Sequence, residues 1–385
     1  MSFEFATAGR IVFGAGVAGE IGTLASPLMH RVLLVTGRDS ARAEPLAARL
    51  RAAGCVLTGF AVAREPQIED VREALRVARA AACDGVVAVG GGSALDAGKA
   101  VAALLANEGD PLDYLEVIGE GRKLTEPAAP LVAVPTTAGT GSEVTRNAVL
   151  GSSEHRVKVS LRSPLMLPRL ALVDPELTLG LPPEATASTG MDALTQLIEP
   201  FVSRRATPLT DAVCRAGLDR AVRSLERAFD DGSDHAARTD MAFASLCGGL
   251  ALANAGLGAA HGLAGPIGGM FPGAPHGALC ARLLSGVMQA NIHALCERAP
   301  ESEARERYDR LARILTGNPE AHAPDGIARV RGLCDRLRIP ALSAWGITPD
   351  HIDDIVSRAR RASSMQANPV ELTPTELANV LSGAL

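Results

Sequence analysis

The sequence predicts two domains of different class: an α/β domain on a parallel sheet over residues 1–180 and an all-α domain over residues 181–385. Three observations carry this expectation. A length of 385 residues exceeds what one hydrophobic core usually organises. Through the first 180 residues, short apolar runs alternate with amphipathic stretches, the pattern of a parallel sheet covered by helices on both faces. After Leu181-Pro182-Pro183-Glu184 the texture changes to long Ala- and Leu-rich stretches with few β-branched residues.

Each element follows from its local pattern. Residues 31–36 (R-V-L-L-V-T) read as a buried strand ending at Gly37, and 41–53 as a helix. Residues 55–62 are the next strand. Over 68–82, Val71, Leu75, Ala78 and Ala82 recur at helical spacing on one stripe. Residues 85–89 (G-V-V-A-V) form a strand with no polar face, and a helix follows it. Residues 130–135 suggest another central strand. N-A-V-L-G and R-V-K-V-S-L, separated by S-S-E-H, suggest a hairpin, and 170–175 a last strand. The second half reads as helices over 184–203, 208–229, 236–254, 277–297, 301–315, 324–338, 349–363 and 374–384, with Pro and Gly as punctuation.

Composition excludes several classes of function. Hydrophobic residues make up 47% and charged residues 21%, as in soluble globular proteins. The net charge of −5 is spread along the chain without a basic stripe, so no nucleic-acid partner is expected. No uninterrupted apolar stretch has the length of a membrane span, and the N-terminus shows no charged-then-apolar export pattern. Seven cysteines lie scattered without C-x-x-C spacing, which fits buried thiols in a reducing compartment. A cytoplasmic protein acting on a small molecule is the expectation.

Two loops carry nucleotide chemistry. The strand at 85–89 runs into G-G-G-S-A-L-D-A-G-K (90–99), where Gly90, Gly91 and Gly92 allow a tight turn and close approach of a ligand. The helix that follows offers unpaired N–H groups and a positive dipole end, together a pyrophosphate cradle. P-T-T-A-G-T-G-S-E-V-T (135–145) places small hydroxyls at a strand's C-terminal end, where open α/β sheets bind ligands. The first domain is therefore a Rossmann-like dinucleotide-binding sheet, without the usual G-x-G-x-x-G. Only three of the 38 basic residues are lysine (Lys99, Lys123, Lys158), and Lys99 belongs to the glycine motif.

The helical half carries metal chemistry. G-M-D-A-L-T-Q-L-I-E-P sets Asp192 and Gln196 four apart on one helix face. His261 and His276 share the segment A-H-G-L-A-G-P-I-G-G-M-F-P-G-A-P-H-G. His276 follows Pro275 at a helix start, where the dipole disfavours imidazolium and keeps the ring available as a ligand. One carboxylate and two imidazoles around an open position is a catalytic metal set that polarises an oxygen.

In order along the chain, G-G-G-S-A-L-D-A-G-K, P-T-T-A-G-T-G-S-E-V-T, V-D-P-E-L-T-L-G-L-P-P, G-M-D-A-L-T and the His261/His276 segment resemble the iron-containing (group III) alcohol dehydrogenase family. The resemblance runs from R-I-V-F-G-A-G (10–16) to R-A-S-S-M-Q-A-N-P (361–369) and implies the dehydroquinate synthase-like fold of that family. It also implies NAD(P)-dependent hydride transfer between nicotinamide and a small alcohol or carbonyl, in a homodimer or higher homo-oligomer. By resemblance, Gly91, Gly92 and Ser93 bind the cofactor pyrophosphate, with Asp96 in the same motif. Thr136, Thr137, Thr140 and Lys158 line the ribose and nicotinamide region. Asp192, His261 and His276 form the catalytic centre and hold the metal, Fe²⁺ in expectation with Zn²⁺ as alternative; Gln196 is an auxiliary ligand.

Three departures stand out. Gln196 occupies the place of a third histidine, and Gly265 the place of a further histidine often found four residues after the first of the later pair. Gln is a harder donor than imidazole, and the loss at 265 removes a proton relay. Gly37 stands where NAD-preferring relatives usually carry an acid for the ribose 2′-OH, and Arg38 or Arg42 could pair with a 2′-phosphate. The balance favours NADP(H) acceptance without excluding NAD(H). The alternatives are a metal-free maleylacetate-type reductase, made plausible by Gln196, a dehydroquinate-synthase-type lyase, disfavoured by the scarcity of lysine, and a nucleotide-binding module without catalysis.

Overall fold

The computed structural model describes residues 2–385. Eight strands precede the helical half: β1 (Ile11–Phe13), β2 (Arg31–Gly37), β3 (Val56–Val62), β4 (Gly85–Gly90), β5 (Leu131–Pro135), β6 (Asn147–Ser152), β7 (Val157–Arg162) and β8 (Leu170–Val173). Between them lie α1 (Ile21–Ala25), α2 (Glu44–Ala52), α3 (Ile68–Ala80), α4 (Gly92–Ala106) and α5 (Pro111–Tyr114). Six strands form one all-parallel sheet in the order β1-β8-β5-β4-β2-β3, while β6 and β7 pair as an antiparallel hairpin.

The central strands β2, β4, β5 and β8 are buried on both faces, which is why they read as nearly continuous apolar runs, while the edge strand β3 is exposed or half-buried over most of its length. Leu33, Val35, Val86, Ala88, Leu131 and Ala133 pack on one side with α3 and α4. The alternate residues Val32, Leu34, Val87, Val89, Val132 and Val134 pack on the other with α1 and α2. From β2 the chain moves outward to β3, returns to β4, then continues the other way to β5, β8 and β1. The strand order therefore reverses between β2 and β4, and ligands of open α/β sheets bind outside the carboxyl ends at such a point.

The chain divides into two compact units. One comprises Ala6–Thr137 and Gly141–Leu179; the other comprises Gly180–Leu385 with short segments at 2–5 and 138–140. The second unit is helical: α6 (Pro183–Val202), α7 (Pro208–Asp230), α8 (His235–Ala255), α9 (Ala259–Met270), α10 (His276–Arg298), α11 (Glu303–Thr316), α12 (Ala323–Arg336), α13 (Ile352–Ala359) and α14 (Pro374–Ser382). Helix α6 is buried on every side from Gly190 to Val202 and packs against α7, α8 and α10. No single helix among the described residues is long and apolar enough to cross a membrane.

Two elements escape the sequence patterns. β1 is only three residues long. α9 contains Pro266 and four glycines, composition that reads as loop, yet it is helical because Ala259, Ala260, Leu263, Ala264 and Ile267 bury its apolar side. The stretch expected as one helix over 349–363 is instead a 3₁₀ turn at Pro349–His351, then α13, then a second 3₁₀ turn from Ser363.

Candidate active site

The two loops expected to receive a nucleotide meet at the C-terminal ends of neighbouring strands. β4 ends at Gly90 opposite Pro135 of β5, and the Thr136 N–H donates to the Gly90 carbonyl at 2.9 Å. A Cβ on Gly91 would lie 3.3 Å from the Thr137 side chain, and one on Gly90 would lie 2.6 Å from Ala94 Cβ and 3.3 Å from the backbone nitrogen of Gly37. Gly37, Gly91 and Thr137 thus surround the strand-order reversal. Helix α4 opens at Gly92 behind Gly91, with no side chain capping it, so its first N–H groups and Ser93 can receive an anion. None of the three glycines 90–92 has positive φ. At Gly90 and Gly91 the missing Cβ serves close packing, and the left-handed turn that would require glycine is absent.

Other residues assigned to the cofactor are engaged with the protein. Asp96 accepts from Ser142 Oγ at 2.6 Å and from the Val149 N–H at 3.0 Å, and lies 3.0 Å from Lys99 Nζ. Lys99 is fully buried and also donates to Thr145 Oγ1 at 2.8 Å. Lys158, on β7, forms an ion pair with Glu65. Thr140 falls in the 138–140 segment that groups with the helical unit. At the end of β2, Asp39 accepts from the Ala41 N–H and caps a short 3₁₀ turn, and Arg38 Nε donates to the Ala63 carbonyl at 3.2 Å.

Asp192, His261 and His276 converge inside the helical unit. Asp192 sits midway along α6, His261 in the first turn of α9, and His276 is the first residue of α10. Asp192 Oδ1 lies 3.4 Å from His261 Nε2 and 4.0 Å from His276 Nε2. Gly277 makes this approach feasible: a Cβ there would lie 2.1 Å from the Ser188 carbonyl oxygen and 2.9 Å from Asp192 Cβ. The Cys280 Sγ, one turn along α10 from His276, joins them. The donor atoms of Asp192, His261, His276 and Cys280 all lie within 4.8 Å of one another.

Burial without partners makes this a candidate ligand site. Asp192 Oδ1, Gln196 Oε1 and His261 Nε2 are buried with no hydrogen-bond partner, although buried polar atoms normally have one. On the far side of the ring, His261 Nδ1 lies 2.6 Å from Glu199 Oε2. A carboxylate on Nδ1 is the arrangement of metal-ligating histidines and would leave Nε2 to a cation facing Asp192. Without a cation, burial pulls the His261 pKa down, but Cys280, Glu199 and Asp192 outweigh it and raise it well above its usual range. Glu199 Oε1 also accepts from the Ala260 N–H at 2.7 Å. Gln196 donates from Nε2 to Asp192 Oδ2 at 3.0 Å.

The charges in this cluster support one another. Burial pushes the Asp192 carboxyl up, but His261, His276 and Gln196 outweigh it and hold the group below its usual range. Burial pushes the Cys280 thiol up, and the two imidazoles outweigh that and lower it. Sequence reading missed both Glu199 and Cys280. A signal existed for each: Glu199 continues the Asp192–Gln196 stripe at i, i+4, i+7 on an otherwise apolar helix, and Cys280 follows His276 at i+4.

Comparison with known proteins bears on this geometry. The family described as iron-containing alcohol dehydrogenase matches residues 8–175, and its C-terminal counterpart matches residues 186–385. The chain is 38% identical to 4-hydroxybutyrate dehydrogenase of Cupriavidus necator, over 82% of this chain and 81% of that one. It is 42% identical to 1,3-propanediol dehydrogenase of Klebsiella pneumoniae, over 87% and 85%. The crystal structure of a 1,3-propanediol oxidoreductase superposes over the full length of both chains with a TM-score of 0.92 and 33% identity. With the two-unit fold, the parallel sheet and both halves matched, the chain belongs to the iron-containing alcohol dehydrogenase family.

Proposed function

We propose that this protein is a metal-dependent, NAD(P)-linked alcohol dehydrogenase or aldehyde reductase acting on a small alcohol or carbonyl compound. The observation that carries the reading is the convergence of Asp192 Oδ1, His261 Nε2 and the His276 ring in a buried cluster, the first two without hydrogen-bond partners. Two bonds of about 2.0–2.3 Å at a tetrahedral angle put donors roughly 3.3–3.8 Å apart, close to the spacings found. Asp192, His261 and His276 would hold a divalent cation, Fe²⁺ by family expectation with Zn²⁺ as alternative. When bound, such an ion polarises a substrate oxygen, while the nicotinamide supplies or accepts the hydride.

The chain's own residues do the positioning. Glu199 fixes the His261 tautomer, and Gln196 orients the Asp192 carboxylate. Leu194, Leu197, Leu263 and Leu279 on the same helices are buried in the core of the helical unit, while one third of the His276 side chain stays exposed. Gly91, Gly92, Ser93, Thr136 and Thr137 would receive the dinucleotide at the carboxyl ends of β4 and β5. NADP(H) acceptance is favoured because Gly37 offers no acid and Asp39 is turned into its own 3₁₀ cap. The seven cysteines are all free thiols, consistent with a cytoplasmic site of action. A dehydroquinate-synthase-type lyase is disfavoured, since Lys99 is buried and Lys158 is paired with Glu65, neither disposed to clamp a phosphorylated acid.

The test is net oxidation of NADPH and NADH with a panel of short aliphatic and hydroxylated aldehydes, before and after removal of divalent metal. Turnover lost on stripping and regained with Fe²⁺ or Zn²⁺ is expected. Undiminished turnover of stripped enzyme would instead make it a metal-free reductase, the reading that Gln196 favours.

A further inference from the structure

We propose that Cys280 is a metal donor, that it takes the fourth place which the family resemblance gives to Gln196, and that its sulfur tunes the site towards Zn²⁺. The inference rests on the metal-site reading above and concerns which side chains complete it. Helix α10 begins at His276, so Cys280 at i+4 lies on the same face one turn further on. Its Sγ is 3.6 Å from His276 Nε2, within the separation expected of two donors sharing one ion, and within 4.8 Å of the donor atoms of Asp192 and His261.

Gln196 is turned the other way. Its amide nitrogen faces Asp192, donating to Oδ2 at 3.0 Å, and an –NH₂ group has no lone pair to offer a cation. Its carbonyl oxygen, also buried without a partner, points away from Asp192 to lie beside α8, where a Cβ on Gly248 would be 3.6 Å away. The same hydrogen bond steadies Asp192 with Oδ1 left free of partners. Gln196 is therefore a positioning residue, and the donor set is one carboxylate, two imidazoles and one sulfur. As anions, Asp192 and Cys280 together balance a divalent charge, and the one-third exposure of the His276 side chain leaves one side of the site open. Thiolate is a soft ligand suited to Zn²⁺ and poorly suited to Mg²⁺ or Mn²⁺. Other buried cysteines have different surroundings: Cys334 donates to the Ala281 carbonyl, and Cys55 to that of Met29.

Stripped protein titrated with Co²⁺ tests this directly. The wild type is expected to bind one equivalent and to show a near-ultraviolet sulfur-to-cobalt charge-transfer band as well as the visible ligand-field bands. Gln196→Ala should keep that band. The near-isosteric Cys280→Ser should lose it while still binding cobalt. Its affinity for Zn²⁺ should fall by at least the roughly 10–100-fold that loss of a group behind the ligands costs, with a smaller change for Mn²⁺. Stoichiometric cobalt binding without the band, or a band that survives in Cys280→Ser, overturns the proposal and leaves the metal site standing. Absence of any cobalt binding by the wild type overturns the metal-site reading itself, and the Cys280 proposal with it.

Discussion

Replacing Glu199 by Gln would change one atom yet disrupt two contacts. Glu199 Oε1 accepts from the Ala260 N–H at 2.7 Å, and Oε2 lies 2.6 Å from His261 Nδ1. A glutamine has one oxygen for these two donors. If the oxygen faces His261, the amide nitrogen opposes the Ala260 N–H and leaves a buried donor unpaired, at a cost of about 1–3 kcal/mol in stability. If the oxygen faces Ala260, the amide N–H turns towards Nδ1, and His261 must move its proton to Nε2, the atom beside Asp192. That tautomer cannot ligate. Either outcome weakens metal binding. Groups that orient ligating histidines typically contribute 10–100-fold in affinity, about 1.4–2.7 kcal/mol. The assay is Zn²⁺ affinity by competition with a chromophoric chelator, alongside thermal unfolding of the stripped protein. An affinity indistinguishable from wild type would refute the orienting role of Glu199 and the assignment of Nε2 as the free lone pair.

Three further outcomes are expected. Gly37→Asp should raise the preference for NADH over NADPH by on the order of 1–3 kcal/mol in kcat/KM, since a Cβ at 37 meets nothing within 4 Å; an unchanged ratio would mean position 37 does not face the ribose. Gly277→Ala should weaken metal binding and destabilise by about 1–3 kcal/mol, because the added carbon would meet the Ser188 carbonyl and force α10 away from Asp192; wild-type affinity and Tm would show that this approach is not needed. Burial raises the Asp240 carboxyl, but Arg223, Ser224 and Arg220 outweigh it and depress it to about 2. A depressed acid stabilises the fold above its unfolded value near pH 4 and loses that contribution as pH falls towards 2. Asp240→Asn should therefore cost about 1–2 kcal/mol at pH 7, allowing for the exposure of Arg223, and show a shallower acid loss in denaturant titrations; a parallel pH profile would contradict it.

The layers of the fold were legible because the central strands β2, β4, β5 and β8 are buried on both faces and so appear as nearly unbroken apolar runs. β1 was not, because three residues are too few to show a period. α9 was not, because Pro266 and its glycines carry loop signals that only tertiary burial of Ala259, Leu263 and Ile267 overrides. At the site, Asp192 and Gln196 stood out as polar residues on one face of an apolar helix, but their roles depend on a rotamer. Spacing cannot tell whether the Gln196 oxygen or nitrogen meets Asp192. Glu199 lay on the same stripe, and its role became visible only when α9 brought His261 Nδ1 against it. Cys280 was hidden among seven scattered thiols, because its partners come from α6 and α9 and no sequence interval records that meeting.

The most direct test of the metal centre is anomalous scattering from crystals of the protein purified without chelator, measured on both sides of the absorption edge of the metal it carries. One peak is expected in the helical unit, within about 2.0–2.3 Å of Asp192 Oδ1, His261 Nε2 and His276 Nε2. No peak there, in protein that turns over undiminished after chelation, would contradict the account and leave His261 and His276 as hydrogen-bond donors to the substrate carbonyl.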